Sequence, residues 1–372
     1  MNKVKIGYLT YQTFPAETAN SLQTISNVRS FVRNNCEVEL IFPLREKDSS
    51  GDIDKLKSFY EFSEDFKVCG VEHKYPFGKI KAAEKLLFHF SHFLWSKKVF
   101  STIKTRQSDY DVFITRSDWI FYFMSKNQLN VIFEIHQLSK IRKLILRVCK
   151  NDKNSKVVLL NQLLKEDLKN YIKNESSIVL QNGVNLSDFK ILKKEKIIIF
   201  VGSLKRFESD RDLAFIIDGF MTSGLEKSYK LMILGGPSAE ADRLKNYVDT
   251  IYSNSNIEIT GRVSRSEVVK YLSRAEIGVL INSDENLHSV KYTSPLKYFE
   301  YLYAGLKIIA IDFPSHRALP FSTNICFFIK KDSKSFIKAL NDASNKSILN
   351  KVDLESITLE KRSKKILSFL SE

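Results

Sequence analysis

A chain of 372 residues has room for two ordinary domains with separate cores, and 43% hydrophobic against 27% charged residues excludes a disordered or fibrous polypeptide. A formal charge of +15 points to an anionic partner (phosphorylated substrate, bilayer surface or nucleic acid) unless a Lys-rich proteome alone accounts for it. No apolar run approaches the ~18 to 20 residues of a membrane span, and four scattered cysteines without a CxxC pair read as reduced, buried thiols.

A strand pattern begins just after Met1 with no signal-peptide pattern before it, so the expected compartment is the cytoplasm. Strand-like apolar runs fall at 4–9, 38–42, 112–115, 131–134, 157–160 and 178–180, with amphipathic stretches such as 21–33 between them. A second series falls at 197–201, 230–234, 257–260, 277–281, 308–311 and 325–329. This alternation predicts α/β architecture: two doubly wound, Rossmann-like domains facing each other across a cleft. Residues 185–195 are polar and aperiodic, as a linker should be. The expected division is residues 1–188 and 189–352, with a helix over 353–372 packing back on the first domain.

Signatures of P-loop NTPases, dinucleotide enzymes, zincins and serine hydrolases are absent from the sequence. Asp109-Tyr110-Asp111 leads into the 112–115 strand and so belongs at the sheet's amino edge, away from the ligand-binding edge. His89 and His92 sit three apart on a helical pattern, and aromatic packing is the expected role rather than a metal site. Residues 72–106, bounded by Glu72 and Arg106, hold eight Lys and Arg among seven aromatics. That mixture suits an anionic bilayer surface, single-stranded nucleic acid, or a core helix with a solvated basic side.

Several strands of the second series end in glycine, at Gly202, Gly235-Gly236 and Gly261, where a backbone can turn tightly and approach a ligand. After Gly202 come Ser203, Lys205, Arg206 and Arg211, then a helix from about Asp212. A loop of N–H groups and cations at a helix start suits a diphosphate. Ser294 and Pro295 predict the N-cap and first residue of another helix, stopped by Ala304-Gly305. Leu296, Phe299 and Tyr303 then share one face, and Glu300 falls among them. A carboxylate there needs a partner: either a ribose diol, or a nearby Lys or Arg.

These residues resemble the GT-B glycosyltransferases of the large retaining family 4. VLQNGVNLSDF (179–189), FVGSL with RDLAFIIDGF, LMILGGP (231–237), IEITGRVSRSEVVKYLSRAEIGVL (257–280) and SPLKYFEYLYAGLKIIA (294–310) carry the resemblance, with FEIHQL (133–138) in the first half. It implies that Glu300 holds the ribose, that Arg211 meets the diphosphate, and that His136 faces the donor sugar near the reacting carbon. Gly202, Ser203, Lys205, Arg206, Thr293, Ser294, Pro295 and Leu296 would surround the diphosphate and sugar; Gly236, Arg262 and Val263 would lie near the base. Three places depart from the family pattern: Tyr292 stands where a glutamate is frequent, Ser203 where a basic residue is frequent, and the 13–21 loop lacks the usual Gly-Gly.

The expected function is transfer of a sugar, with retention, from a nucleotide-sugar to a hydroxyl of a glycan or lipid-linked acceptor in surface-polysaccharide or lipopolysaccharide synthesis. The reading calls for no cofactor, no metal and no nucleic acid. It places residues 72–106 in peripheral contact with the inner face of the cytoplasmic membrane. The alternatives are a nucleotide-sugar epimerase or hydrolase of the same fold, a basic nucleic-acid-binding protein, and a catalytically dead scaffold.

Overall fold

A computed structural model describes residues 3–73, 83–185, 189, 192–206, 209–253, 255–346 and 353–371. The chain forms two compact units, residues 1–180 with 359–372, and residues 181–358. The first unit thus ends at Leu180, earlier than the 188/189 division read from the sequence.

The first unit is a parallel sheet of β1 (Lys5–Leu9), β2 (Glu37–Leu44), β3 (Lys67–Glu72), β4 (Val112–Thr115), β5 (Val131–Ile135), β6 (Ser155–Leu159) and β7 (Ser177–Val179), in the order β3-β2-β1-β4-β5-β6-β7. Around it run α1 (Ala19–Arg33), α2 (Ile53–Tyr60), α3 (Glu84–Lys104), α4 (Asp118–Lys126), α5 (Lys140–Cys149) and α6 (Gln162–Leu168). Thr18 caps α1 by accepting the Ser21 N–H at 3.1 Å. The C-terminal helix, Leu359–Ser371, lies against α1, with Ile366 in the core and Arg33 paired to Glu360 at 2.7 Å. Strand order reverses between β1 and β4, which makes their carboxyl ends the switch point of this unit.

The second unit is built on β8 (Ile197–Val201), a hairpin of β9 (Lys205–Arg206) and β10 (Ser209–Asp210), then β11 (Lys230–Leu234), β12 (Ile257–Gly261), β13 (Ile277–Leu280), β14 (Lys307–Ile311) and β15 (Ile325–Phe328). Its helices are α7 (Leu213–Met221), α8 (Ser238–Ile251), α9 (Arg265–Arg274), α10 (Leu296–Tyr303), α11 (Pro314–Arg317) and α12 (Ser333–Asn345). The main sheet runs β12-β11-β8-β13-β14-β15, all parallel, with its switch point between β8 and β13. Strands here are apolar on both faces because both are covered. Ile198, Phe200 and Ile233 face one core, while Ile197, Ile199 and Leu234 face another.

Two elements escaped the sequence reading. β3 is a half-buried edge strand interrupted by Gly70, so it shows neither a buried run nor clean alternation. The β9–β10 hairpin is two residues a side, too short for any periodicity.

Candidate functional site

At the switch point of the second unit the glycine-ended strands crowd together. Gly202 has φ +138° and Gly235 φ +156°, and a Cβ on Gly235 would lie 1.8 Å from the Gly202 carbonyl oxygen. Only glycine permits that approach. The Gly202 N–H donates to Leu234 O at 2.9 Å, Leu204 N–H to Gly236 O at 2.8 Å, and Gly235 N–H to Gly261 O at 2.7 Å. Gly202, Gly235, Gly236 and Gly261 therefore form one continuous backbone floor, with exposed Arg262 and half-buried Val263 at its rim.

The cations fall into distinct positions. Arg211 is buried at the start of α7 and donates from Nη1 to Ile281 O at 3.2 Å, just past β13. Lys205 instead reaches Glu240 Oε1 at 2.6 Å, and Arg243 takes Glu240 Oε2 at 2.8 Å. That carboxylate sits in the first turn of α8, where the helix dipole also favours it. Ser203 is exposed and its hydroxyl donates to Lys205 O. Arg206 contributes its backbone to the hairpin. Lys297 was missed by the sequence reading: its ammonium lies 4.3 Å from the Phe200 ring centroid and 3.1 Å from where a Gly202 Cβ would be. Its place in the first turn of a helix after Ser294-Pro295 was the available signal.

α10 starts differently from the expected pattern. Ser294 does not cap it, because its hydroxyl accepts the Asn182 N–H at 3.0 Å and donates to Gln181 at 3.3 Å. Pro295, with φ −69° and ψ 125°, takes the N-cap position, and the helix begins at Leu296. The buried face is Tyr298, Phe299, Tyr301 and Leu302 rather than Leu296, Phe299 and Tyr303. Thr293, Ser294 and Tyr292 are buried beneath the turn.

Glu300 accordingly lies at the edge of the buried face, where Arg265 Nη1 of α9 meets its Oε1 at 2.6 Å. The Arg265 guanidinium also covers the Phe189 ring at 5.8 Å. Among the described residues the second Glu300 oxygen has no partner. The pairing accounts for the carboxylate's position and leaves one oxygen to accept from a ligand.

Tyr301, next in sequence, explains how the switch point holds together. β8 and β13 pair only at Ile198 and Ile199 and then diverge. The Tyr301 hydroxyl enters the gap, accepting from Val201 N–H at 3.1 Å and donating to Val279 O at 3.4 Å. Gly278 makes room, since a Cβ there would lie 2.5 Å from the ring.

In the first unit, His136 is the first residue past β5 and sits between two charged groups. Its Nδ1 accepts from Arg116 Nη2 at 2.8 Å, so its Nε2–H donates to Glu134 Oε1. Glu134 Oε2 is met by Arg362 Nη1 of the C-terminal helix at 3.1 Å. Burial first, and the Arg116 charge second, hold the His136 imidazole well below its usual range, against the pull of Glu134. Burial alone would raise the Glu134 carboxyl, but Arg362, His136 and Arg116 hold it far below the usual carboxylate range. Arg116 and Arg362 were not among the residues singled out from the sequence.

Most aromatics of 72–106 turn inward. Trp95 is fully buried, Phe93 packs edge-on against Trp119 at 5.1 Å, and Phe100 stacks on Phe123 at 6.0 Å. His92 stacks on Tyr11 at 4.3 Å, in the aromatic role expected of it. Leu86 and Phe90 are exposed, while Tyr75 and Phe77 lie outside the described residues. Among the described residues no helix is long and apolar enough to cross a membrane, and no three His, Cys, Asp or Glu side chains gather as a metal site.

Two doubly wound parallel units on one chain, each reversed at its switch point, define the GT-B fold. Residues 195–346, within the second unit, match the family described as Glycosyl transferases group 1. A sucrose-phosphate synthase from Thermosynechococcus elongatus is similar over 99% of this chain and 95% of its own, with a TM-score of 0.64 and 14% identity. WaaG, a glycosyltransferase of lipopolysaccharide biosynthesis, is similar over 98% and 99%, with a TM-score of 0.58 and 11% identity. A UDP-GlcNAc 2-epimerase from Methanocaldococcus jannaschii is similar over 99% of both chains, with a TM-score of 0.61 and 14% identity. Likenesses at these identities carry the fold and no more. No curated protein sequence matches the chain.

Proposed function

We propose that this chain transfers a sugar from a nucleotide-sugar to a hydroxyl of a glycan or lipid-linked acceptor, with retention of configuration. The observation that carries this reading is the floor of Gly202, Gly235, Gly236 and Gly261, with the Lys297 ammonium beside Gly202. The family match over the same residues supports it.

In this reading the Gly202 loop and the start of α10 (Thr293, Ser294, Pro295, Leu296) offer N–H groups to the diphosphate, with Lys297 and Arg211 as cations. Glu300, held by Arg265, accepts from the ribose diol with its second oxygen. Gly236, Arg262 and Val263 border the base. The bond from the anomeric carbon to the diphosphate breaks as the acceptor oxygen bonds to that carbon from the same face. The hydroxyl proton passes to the leaving phosphate. His136 orients the sugar as a neutral group, and the scheme requires no metal.

The outward stripe of α3 supports peripheral membrane contact and with it a role in surface-glycan synthesis. Exposed Leu86, Phe90, Lys97 and Lys104 share one helical stripe, apolar at one end and basic at the other.

Thermal melts with UDP, GDP, ADP and CMP test the donor site. One nucleotide at ~100 times its dissociation constant should add ~2.7 kcal/mol of stability. Glu300→Ala should lose most of that gain. A gain unchanged in the variant removes Glu300 from the ribose site, and no gain from any nucleotide overturns the reading. Consumption of a nucleotide-sugar at full rate without acceptor would identify an epimerase or hydrolase instead.

A further inference from the structure

The switch point of the first unit holds a cation whose charge is not directly matched. Arg116 follows β4 immediately, at the carboxyl edge where sheets of this kind bind ligands. Its guanidinium makes three hydrogen bonds, all to neutral acceptors: Gln23 Oε1 at 3.2 Å, Asn20 Oδ1 at 3.0 Å and His136 Nδ1 at 2.8 Å. A guanidinium has five N–H donors and keeps its charge. Among the described residues no carboxylate touches it, and Glu134 reaches it only through the His136 ring. Glu134 is itself shared with Arg362, so the carboxylate nearest to Arg116 is divided between His136 and a second guanidinium. The neighbouring Arg142 is paired with Asp118 at 2.7 Å. Asn20 and Gln23 belong to the first turns of α1, whose positive end adds to the same potential. The Asn20 end of the group is open to solvent.

We propose that Arg116 is an anion-recognition residue, and that the acceptor docking at this edge carries a phosphate or carboxylate which the guanidinium binds. This rests on the transferase reading above, and it narrows the acceptor to an oxyanion-bearing glycan or lipid. A half-buried guanidinium with only neutral partners gains a charge-assisted bond from such a group, and its planar fork suits both oxyanions.

Calorimetric titration of the full chain at low salt with glucose 6-phosphate, glucuronate and glucose tests it. At least one anionic sugar should bind about tenfold tighter than glucose or better. The preference should disappear in Arg116→Gln and recover in part in Arg116→Lys. Which anion binds tighter identifies the oxyanion. Equal binding of charged and neutral sugars by the wild type, or no binding of either anion, overturns the proposal without reference to any variant. So does a preference that survives in Arg116→Gln. Nucleotide-induced melting shifts from the same preparations separate the two readings: a retained shift with no anion preference sinks this inference alone, whereas a lost shift in the wild type sinks the donor site.

Discussion

The Arg116–His136–Glu134 chain shows how much one side chain's chemistry depends on its neighbours. With both ring nitrogens engaged and burial opposing its charge, His136 should remain neutral where a free imidazole titrates. The sign follows from linkage. A histidine with a depressed folded pKa binds fewer protons folded than unfolded below about pH 6.5. Its contribution to stability is therefore present above that pH and is lost as pH falls toward the folded value. Nitrogen-correlated NMR of the imidazoles should show His136 as the Nε2–H tautomer from pH 8 down to pH 5. A midpoint near 6.5 would contradict the network. Arg116→Gln should move the midpoint upward, because it removes the second-largest cause of the shift. His136 was singled out in the sequence only through the resemblance that FEIHQL carries. Arg116 stands directly after VFIT, and its importance depends on side chains from α1 and β5 that only the fold brings together.

At the scale of elements, what was legible followed from burial. The long buried strands and their terminal glycines were read correctly because a doubly covered sheet demands continuous apolar runs. The cap of α10 was misread because a local rule for Ser-Pro yielded to a tertiary contact, the Ser294 bonds to Gln181 and Asn182. The role of Tyr301 was likewise hidden, since nothing in a helix sequence reveals a gap between two distant strands. Removing its hydroxyl leaves the Val201 N–H and Val279 O of diverging strands without that partner. Tyr301→Phe should therefore destabilise the second unit by about 1–3 kcal/mol, measured by urea unfolding. Because Val201 precedes Gly202, the same variant should weaken nucleotide binding more than Phe299→Leu, a core change on the same helix. Equal effects of the two on binding would reduce Tyr301 to ordinary packing.

The whole molecule is threaded so that the chain leaves the first unit at Leu180, builds the second through Thr358, and returns its last helix to the first. That return supplies Arg362, the largest charge holding Glu134 ionised in a buried site. Removing one partner of a buried pair costs about 3–5 kcal/mol, because the remaining charge is left uncompensated. Arg362→Met should therefore lower the melting transition of the first unit alone, with hydrogen exchange rising on β5 and α1 while β8 and β11 keep their protection. It should also change the acid response. A carboxylate with a depressed folded pKa gives stability that is present above its unfolded value near 4.3 and lost as pH falls below it. With Arg362 gone, the folded pKa of Glu134 rises, so less stability remains to be lost between pH 5 and pH 3, and the variant's acid transition should be shallower than the wild type's. Equal slopes would place the stabilisation in the apolar contacts of Ile366 and Phe369 rather than in the ion pair.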